Sequence, residues 1–176
     1  MSRNRTENPN IASGRIDALE NDEIFVFGSN LAGHHGGGAA SVAFRKFGAE
    51  WGIGVGLTGQ TYAIPTMQGG VETIKPYVDE FIEFAHKHPD LNFLVTRIGC
   101  GIAGFRDDEI APLFKDALNI DNVVLPKEFI EYLEEYQTEQ LSEEEITWNS
   151  TEFLAAYHPL MQKVAKGGRL AYDKVQ

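Results

Sequence analysis

The sequence predicts an α/β fold, a sheet with helices on both faces, and three observations carry that prediction. Apolar runs of strand length alternate with longer segments of helical periodicity. Two glycine-rich loops each follow a strand and precede a helix. Hydrophobic residues make up 43% of the 176, enough for one core and spread too evenly for a membrane span.

Taken in order, residues 1–20 are polar, and Arg15–Leu19 reads as a short first strand or a turn. Ile24–Phe27 is a continuous apolar run closed by glycine, the mark of a buried strand. From Ala39 the positions Val42, Ala43 and Phe47 share one helical face, with Arg45 and Lys46 opposite and Gly48 as the stop. Trp51–Thr58, spaced by Gly52, Gly54 and Gly56, predicts a bend or an edge strand. Thr61–Ile64 is the next strand, ended by Pro65. Residues 73–88 hold the clearest amphipathic pattern, Ile74, Tyr77, Phe81 and Ala85, widened by Val78 and Ile82. Thr73 is its candidate cap, Pro76 falls in the expected first turn, and His86, Lys87 and His88 suit the negative end of the helix dipole. Phe93–Thr96 is a strand running into the second glycine loop. Asp107 or Asp108 then caps a helix through Leu118, with Pro112 near its first turn. Val123–Leu125, closed by Pro126, is the last strand.

The pattern changes at Lys127. One domain over 1–126 is expected, followed by an acidic helical extension over 127–176 with helices at 127–145 and Thr151–Lys166. Residues 1–126 carry a net charge of −6 and residues 127–176 carry −5, so acidity is denser in the extension. A total of −11 argues against a long nucleic-acid groove. A single nucleotide held by backbone amides needs no net positive charge and stays open. The polar N-terminus, with Arg3 and Arg5, lacks the apolar core of a signal peptide. The single cysteine, Cys100, precludes an internal disulfide, and a cytoplasmic location without membrane contact is the expectation.

The chemistry concentrates in the glycine loops. Phe27–Ala40 contains Gly36-Gly37-Gly38, where the missing Cβ atoms let backbone N–H groups approach an anion. Gly99-Cys100-Gly101-Ile102-Ala103-Gly104 repeats the arrangement. In such sheets, ligands sit beyond the carboxyl ends of the strands, so both loops can face one crevice. The ligand-binding candidates are Gly28, Ser29, Asn30, Gly36, Gly37, Gly38 and Ala39 in the first loop, and Gly99, Cys100, Gly101, Ile102, Ala103, Gly104 and Phe105 in the second. Asn30, His34 and His35 are the catalytic candidates, because imidazole titrates near neutral pH and an amide orients water. Cys100 is either a nucleophile activated by loop amides or a small apolar filler. Arg97 pairs with a carboxylate or reaches a phosphate, and Gln60 is a candidate base contact. No metal site or cofactor is expected.

These residues resemble a known family. Asn30, Gly36–Ala39 opening a helix that ends Phe47-Gly48, Tyr62-Ala63-Ile64-Pro65-Thr66, and Thr96–Gly104 together look like a macro domain. The likeness spans roughly residues 14–126 and is strongest toward the terminal ADP-ribose glycohydrolase branch, which shares the Arg97-Ile98-Gly99-Cys100-Gly101 run and the Phe44–Gly48 helix end. The resemblance implies a six- or seven-stranded mixed sheet and a cleft for ADP-ribose, free or on an ADP-ribosylated protein. It puts Gly36–Ala39 on the distal ribose and a phosphate, and Gly99–Gly104 on the diphosphate. The chain departs from the family at its catalytic positions. The glycohydrolase lysine falls near Met67 and its aspartate at Ala103, while another hydrolytic branch's aspartate falls at Ala40. Arg15 follows Gly14 where the family often has an adenine-binding aspartate, leaving Asp17 or Asp22 as substitutes. Binding of a nucleotide is therefore the first expectation, and hydrolysis of ADP-ribose 1″-phosphate or of ADP-ribosylated substrates is the second.

Overall fold

A computed structural model describes the backbone of residues 15–148 and the side chains of residues 15–140. The chain divides into two compact units, the first ending at Leu133 and the second beginning at Glu134. The first unit runs past the expected boundary at 126 because Phe129 and Leu133 are buried in its core. The helix expected at Thr151–Lys166 lies outside the described residues.

The elements are β1 (Glu23–Ser29), α1 (Gly38–Val42, continued by a π-helical turn Ala43–Phe47), β2 (Gly56–Thr58), β3 (Thr61–Pro65), α2 (Val71–Lys87), β4 (Asn92–Val95), α3 (Asp107–Ile110, continued by a 3₁₀ segment Ala111–Asn119), β5 (Val123–Val124) and α4 (Lys127–Trp148). They build an α/β fold around a five-stranded mixed sheet of order β2-β3-β1-β4-β5. β3, β1, β4 and β5 run parallel and β2 is antiparallel to β3. The macro-domain resemblance implies six or seven strands; the described residues supply five.

β1 is central and fixes the layers. Ile24 and Val26 point into a core with Ile74, Val78 and Phe81 of α2, Phe114 of the 3₁₀ segment and Phe129 of α4. Phe25 and Phe27 point into a second core with Ala40, Ala43 and Phe47 of α1. Burial on both faces is why this strand is an unbroken apolar run and not an alternating one.

Several boundaries differ from the sequence reading, each for a local reason. Arg15–Glu20 forms no strand or helix. Pro65 belongs to β3, at its last position, and the ladder continues from the Thr66 N–H to the Ser29 carbonyl at 2.9 Å. α2 begins at Val71 with Gly70 as its cap, so Thr73 is helical and its hydroxyl donates to the Gly70 carbonyl at 2.6 Å. Pro76 therefore lies beyond the first turn, on the exposed side. Arg106, not Asp107 or Asp108, caps α3, and its N–H donates to the Glu109 carboxylate at 2.9 Å.

Phe81 is fully buried against the rings of Tyr62, Phe93 and Phe114. Phe81→Ala is expected to lower unfolding stability by about 3–5 kcal/mol in denaturant titration, the ordinary range for a phenylalanine cavity.

Candidate functional site

β1, β3 and β4 run parallel and end at Ser29, Pro65 and Val95. The loops leaving those ends enclose a cavity of about 410 Å³, a volume suited to a small-molecule ligand. From the first loop, Gly28, Ser29, Asn30, His34, Gly36, Gly37, Gly38 and Ala39 line it as expected, and from the second Gly99, Gly101, Ile102 and Ala103 do. Cys100, Gly104 and Phe105 are not among the lining residues, nor is His35. Thr66 and Thr96, which the sequence reading did not single out for the site, line it too. Their signal was position, since each stands just past the carboxyl end of a parallel strand.

The first loop is shaped by hydrogen bonds of its own. The Asn30 Oδ1 accepts from the His34 N–H at 2.9 Å, and the Asn30 Nδ2 donates to the His34 carbonyl at 2.8 Å. The side-chain amide thus grips one residue's backbone from both ends. The candidate catalytic amide holds the loop in place, and this uses one donor and one lone pair of Asn30. The Ser29 hydroxyl donates to the Gly54 carbonyl, tying β1's exit to the Trp51–Thr58 segment. Gly54 must lack a Cβ, because one built there collides with the Asn30 carbonyl.

The two histidines have separate fates. His34 is exposed at the cavity wall and stacks on Trp51. His35 is 2% exposed, and its Nε2 lies 3.0 Å from the Glu50 carbonyl and 3.1 Å from that of Ile53. Two carbonyl partners require Nε2 to carry the proton and donate. His35 is a latch on the 50–53 turn and does not reach the cavity, which corrects its candidacy as a base.

Arg97 is the lining residue with a fixed charge, and no lining residue is an aspartate or glutamate. Its guanidinium donates to both Asp107 oxygens at 3.1 and 2.7 Å, with Glu128 at 4.0 Å, and this pairing holds it charged. Asp107 is therefore an ion-pair partner and not a helix cap. Burial, with Asp107 nearby, pushes the Cys100 thiol up to about 12, the reverse of nucleophile activation. The other candidate base contacts are engaged elsewhere. Gln60 Nε2 donates to the Glu20 carbonyl at 2.8 Å, Asp22 accepts from Asn92 at 2.7 Å, and Asp17 pairs with Arg15 and Lys46. None of the three lines the cavity.

Two lining glycines have no reason to be glycine within the protein. A Cβ on Gly36 or on Gly101 would meet nothing within 4 Å, and neither has a left-handed φ. The two loops come together nearby, where a Cβ on Gly37 would lie 3.0 Å from the Ile102 side chain. Among the described residues no group of three or more His, Cys, Asp or Glu side chains could hold a metal ion, and no helix is long and apolar enough to cross a membrane. No protein-family model, curated protein or solved structure matches the chain.

Asn30→Ala is expected to release the His34 amide, raising its hydrogen-exchange rate about fivefold for roughly 1 kcal/mol of lost hydrogen bonding, while the core amides keep their protection. Cys100 is expected to react with disulfide reagents at pH 8 more slowly than a free thiol. Its ordinary value is 9.0 and the folded value is about 12, so the unfolded chain loses this proton first as pH rises. The thiol's stabilising contribution is complete below pH 9 and falls away toward pH 12, and Cys100→Ala should flatten that part of a stability–pH profile.

Proposed function

We propose that the cavity binds ADP-ribose or a related phosphate-bearing nucleotide, free or attached to protein, through the backbone amides of its two glycine loops. The observation that carries this reading is the pair Gly36 and Gly101. Each lies on the cavity wall, on a different loop, with open space where a Cβ would stand. A glycine that neither its φ nor its neighbours require leaves room for an occupant from outside the chain. Gly37 caps α1 with no side-chain hydrogen bond, so the helix's first N–H groups remain open to an anion. The macro-domain resemblance belongs to this proposal and supplies the choice of ADP-ribose.

Binding is favoured over hydrolysis by what the lining lacks. No carboxylate stands in it, Cys100 remains a protonated thiol outside it, and the Asn30 amide is committed in part to the His34 backbone. A hydrolase acting on ADP-ribose 1″-phosphate or ADP-ribosylated substrates would rest on His34 as a lone base with no carboxylate to orient it.

Titration calorimetry with ADP-ribose is expected to give a dissociation constant in the micromolar range or tighter, about −8 kcal/mol. Gly36→Val is expected to leave the melting temperature nearly unchanged and to weaken binding at least about tenfold, or about 1.4 kcal/mol. Absence of heat with ADP-ribose, NAD and pyrophosphate would overturn the reading, as would undiminished binding to the valine variant.

A further inference from the structure

An aromatic cluster that the phosphate cradle does not use joins His34 of the first loop to Trp51 and Phe44. His34 is the one ring-bearing residue among those lining the cavity. Its imidazole lies 5.4 Å from the Trp51 indole, nearly parallel at 20°. Trp51 is 55% exposed and Phe44 is 43% exposed, and the two meet edge to face at 5.6 Å. Large aromatic side chains left on the surface in contact with one another are a common mark of a binding surface.

Hydrogen bonds hold this cluster in place, and His35 is seated edge-on against the buried Phe27 ring at 5.3 Å. Asn30 fixes the His34 backbone at both ends. The buried His35 fastens the turn that bears Trp51 through the Glu50 and Ile53 carbonyls and meets the indole edge-on at 6.2 Å. The Gly52 N–H donates to the Gly33 carbonyl at 2.9 Å. The Trp51 turn is therefore stapled to the loop that lines the cavity, with its indole exposed. A ring platform so fixed loses little conformational entropy when a second ring stacks on it.

We propose that His34, backed by Trp51, is the stacking subsite for a planar heteroaromatic ring on the ligand whose phosphates the glycine loops hold. This rests on the nucleotide reading of the cavity. The size fits, since a cavity of about 410 Å³ can hold a phosphate-bearing sugar while its wall presents the imidazole. The ring chemistry is shared by a nucleobase and by the nicotinamide of a dinucleotide. Stacking tolerates either because each has a π-face.

The test is calorimetry on the full chain, wild type, His34→Ala and His34→Phe, with ADP-ribose, NAD and ribose 5-phosphate. The Asn30 grip is on the His34 backbone, so both substitutions leave it intact. His34→Ala should weaken a ring-bearing ligand about tenfold, within the usual range for one stacked base. It should leave ribose 5-phosphate unchanged, and His34→Phe should restore the affinity. Equal losses for ADP-ribose and NAD identify the nucleobase as the stacked ring, and a loss confined to NAD identifies nicotinamide. If His34→Ala alters all three ligands by one factor, or none of them, the subsite is wrong and the nucleotide reading stands. If none of the three binds the wild-type chain, the nucleotide reading fails and this inference fails with it.

Discussion

The structure depends on the burial of β1 on both faces. Ile24 and Val26 serve one core and Phe25 and Phe27 the other, so the strand cannot shift by one residue without exchanging the two sets. With its register fixed, its carboxyl end is fixed between those of β3 and β4. The loop after Ser29 then starts from a defined point, and the Ser29 and Asn30 side chains set its direction. The cavity thus inherits its shape from the sheet through a few hydrogen bonds.

The layers were legible in the sequence because a strand buried on both faces and a helix buried on one leave different apolar patterns. Ile24–Phe27, Phe93–Thr96 and the stripe on residues 73–88 each announce their environment by apolar spacing alone. Helix starts were harder to read. Thr73 looked like a cap by type, but the chain had already turned helical at Val71, where Gly70 sufficed. Asp107 looked like a cap too, but a bidentate partner ten residues earlier in sequence claims its carboxylate. Residue type gives the capacity to cap, and tertiary competition decides whether it is used.

The cavity wall was legible as glycine content after a strand. The roles of its polar side chains were not, because they depend on contacts remote in sequence. His34 and His35 are adjacent and chemically identical, and strand-like alternation sends one to the cavity and the other into the interior. What decides their roles is the Glu50–Ile53 turn, which supplies carbonyls to one ring and an indole to the other. Nothing in the local pattern around residue 35 marks that turn as its neighbour. Cys100 shows the same limit, since its raised thiol reflects burial and Asp107, neither of which its flanking glycines reveal.

The anion site proposed above, on a strongly acidic chain, raises an electrostatic objection, and distance answers it. Charges in water are screened over about 8 Å at physiological ionic strength. The net −11 therefore matters at the cavity only through the groups that stand near it. The lining contains no carboxylate and one guanidinium, whose own partner Asp107 lies outside the lining. Backbone N–H dipoles act within one hydrogen-bond length, far inside the screening distance, and they retain their strength whatever the distant surface carries. The dense acidity instead slows the approach of an anionic ligand and repels nucleic acid, whose many phosphates must meet a wide surface. On the proposed reading a short ligand with one or two phosphates meets mainly the cradle, so the acidic composition does not exclude it.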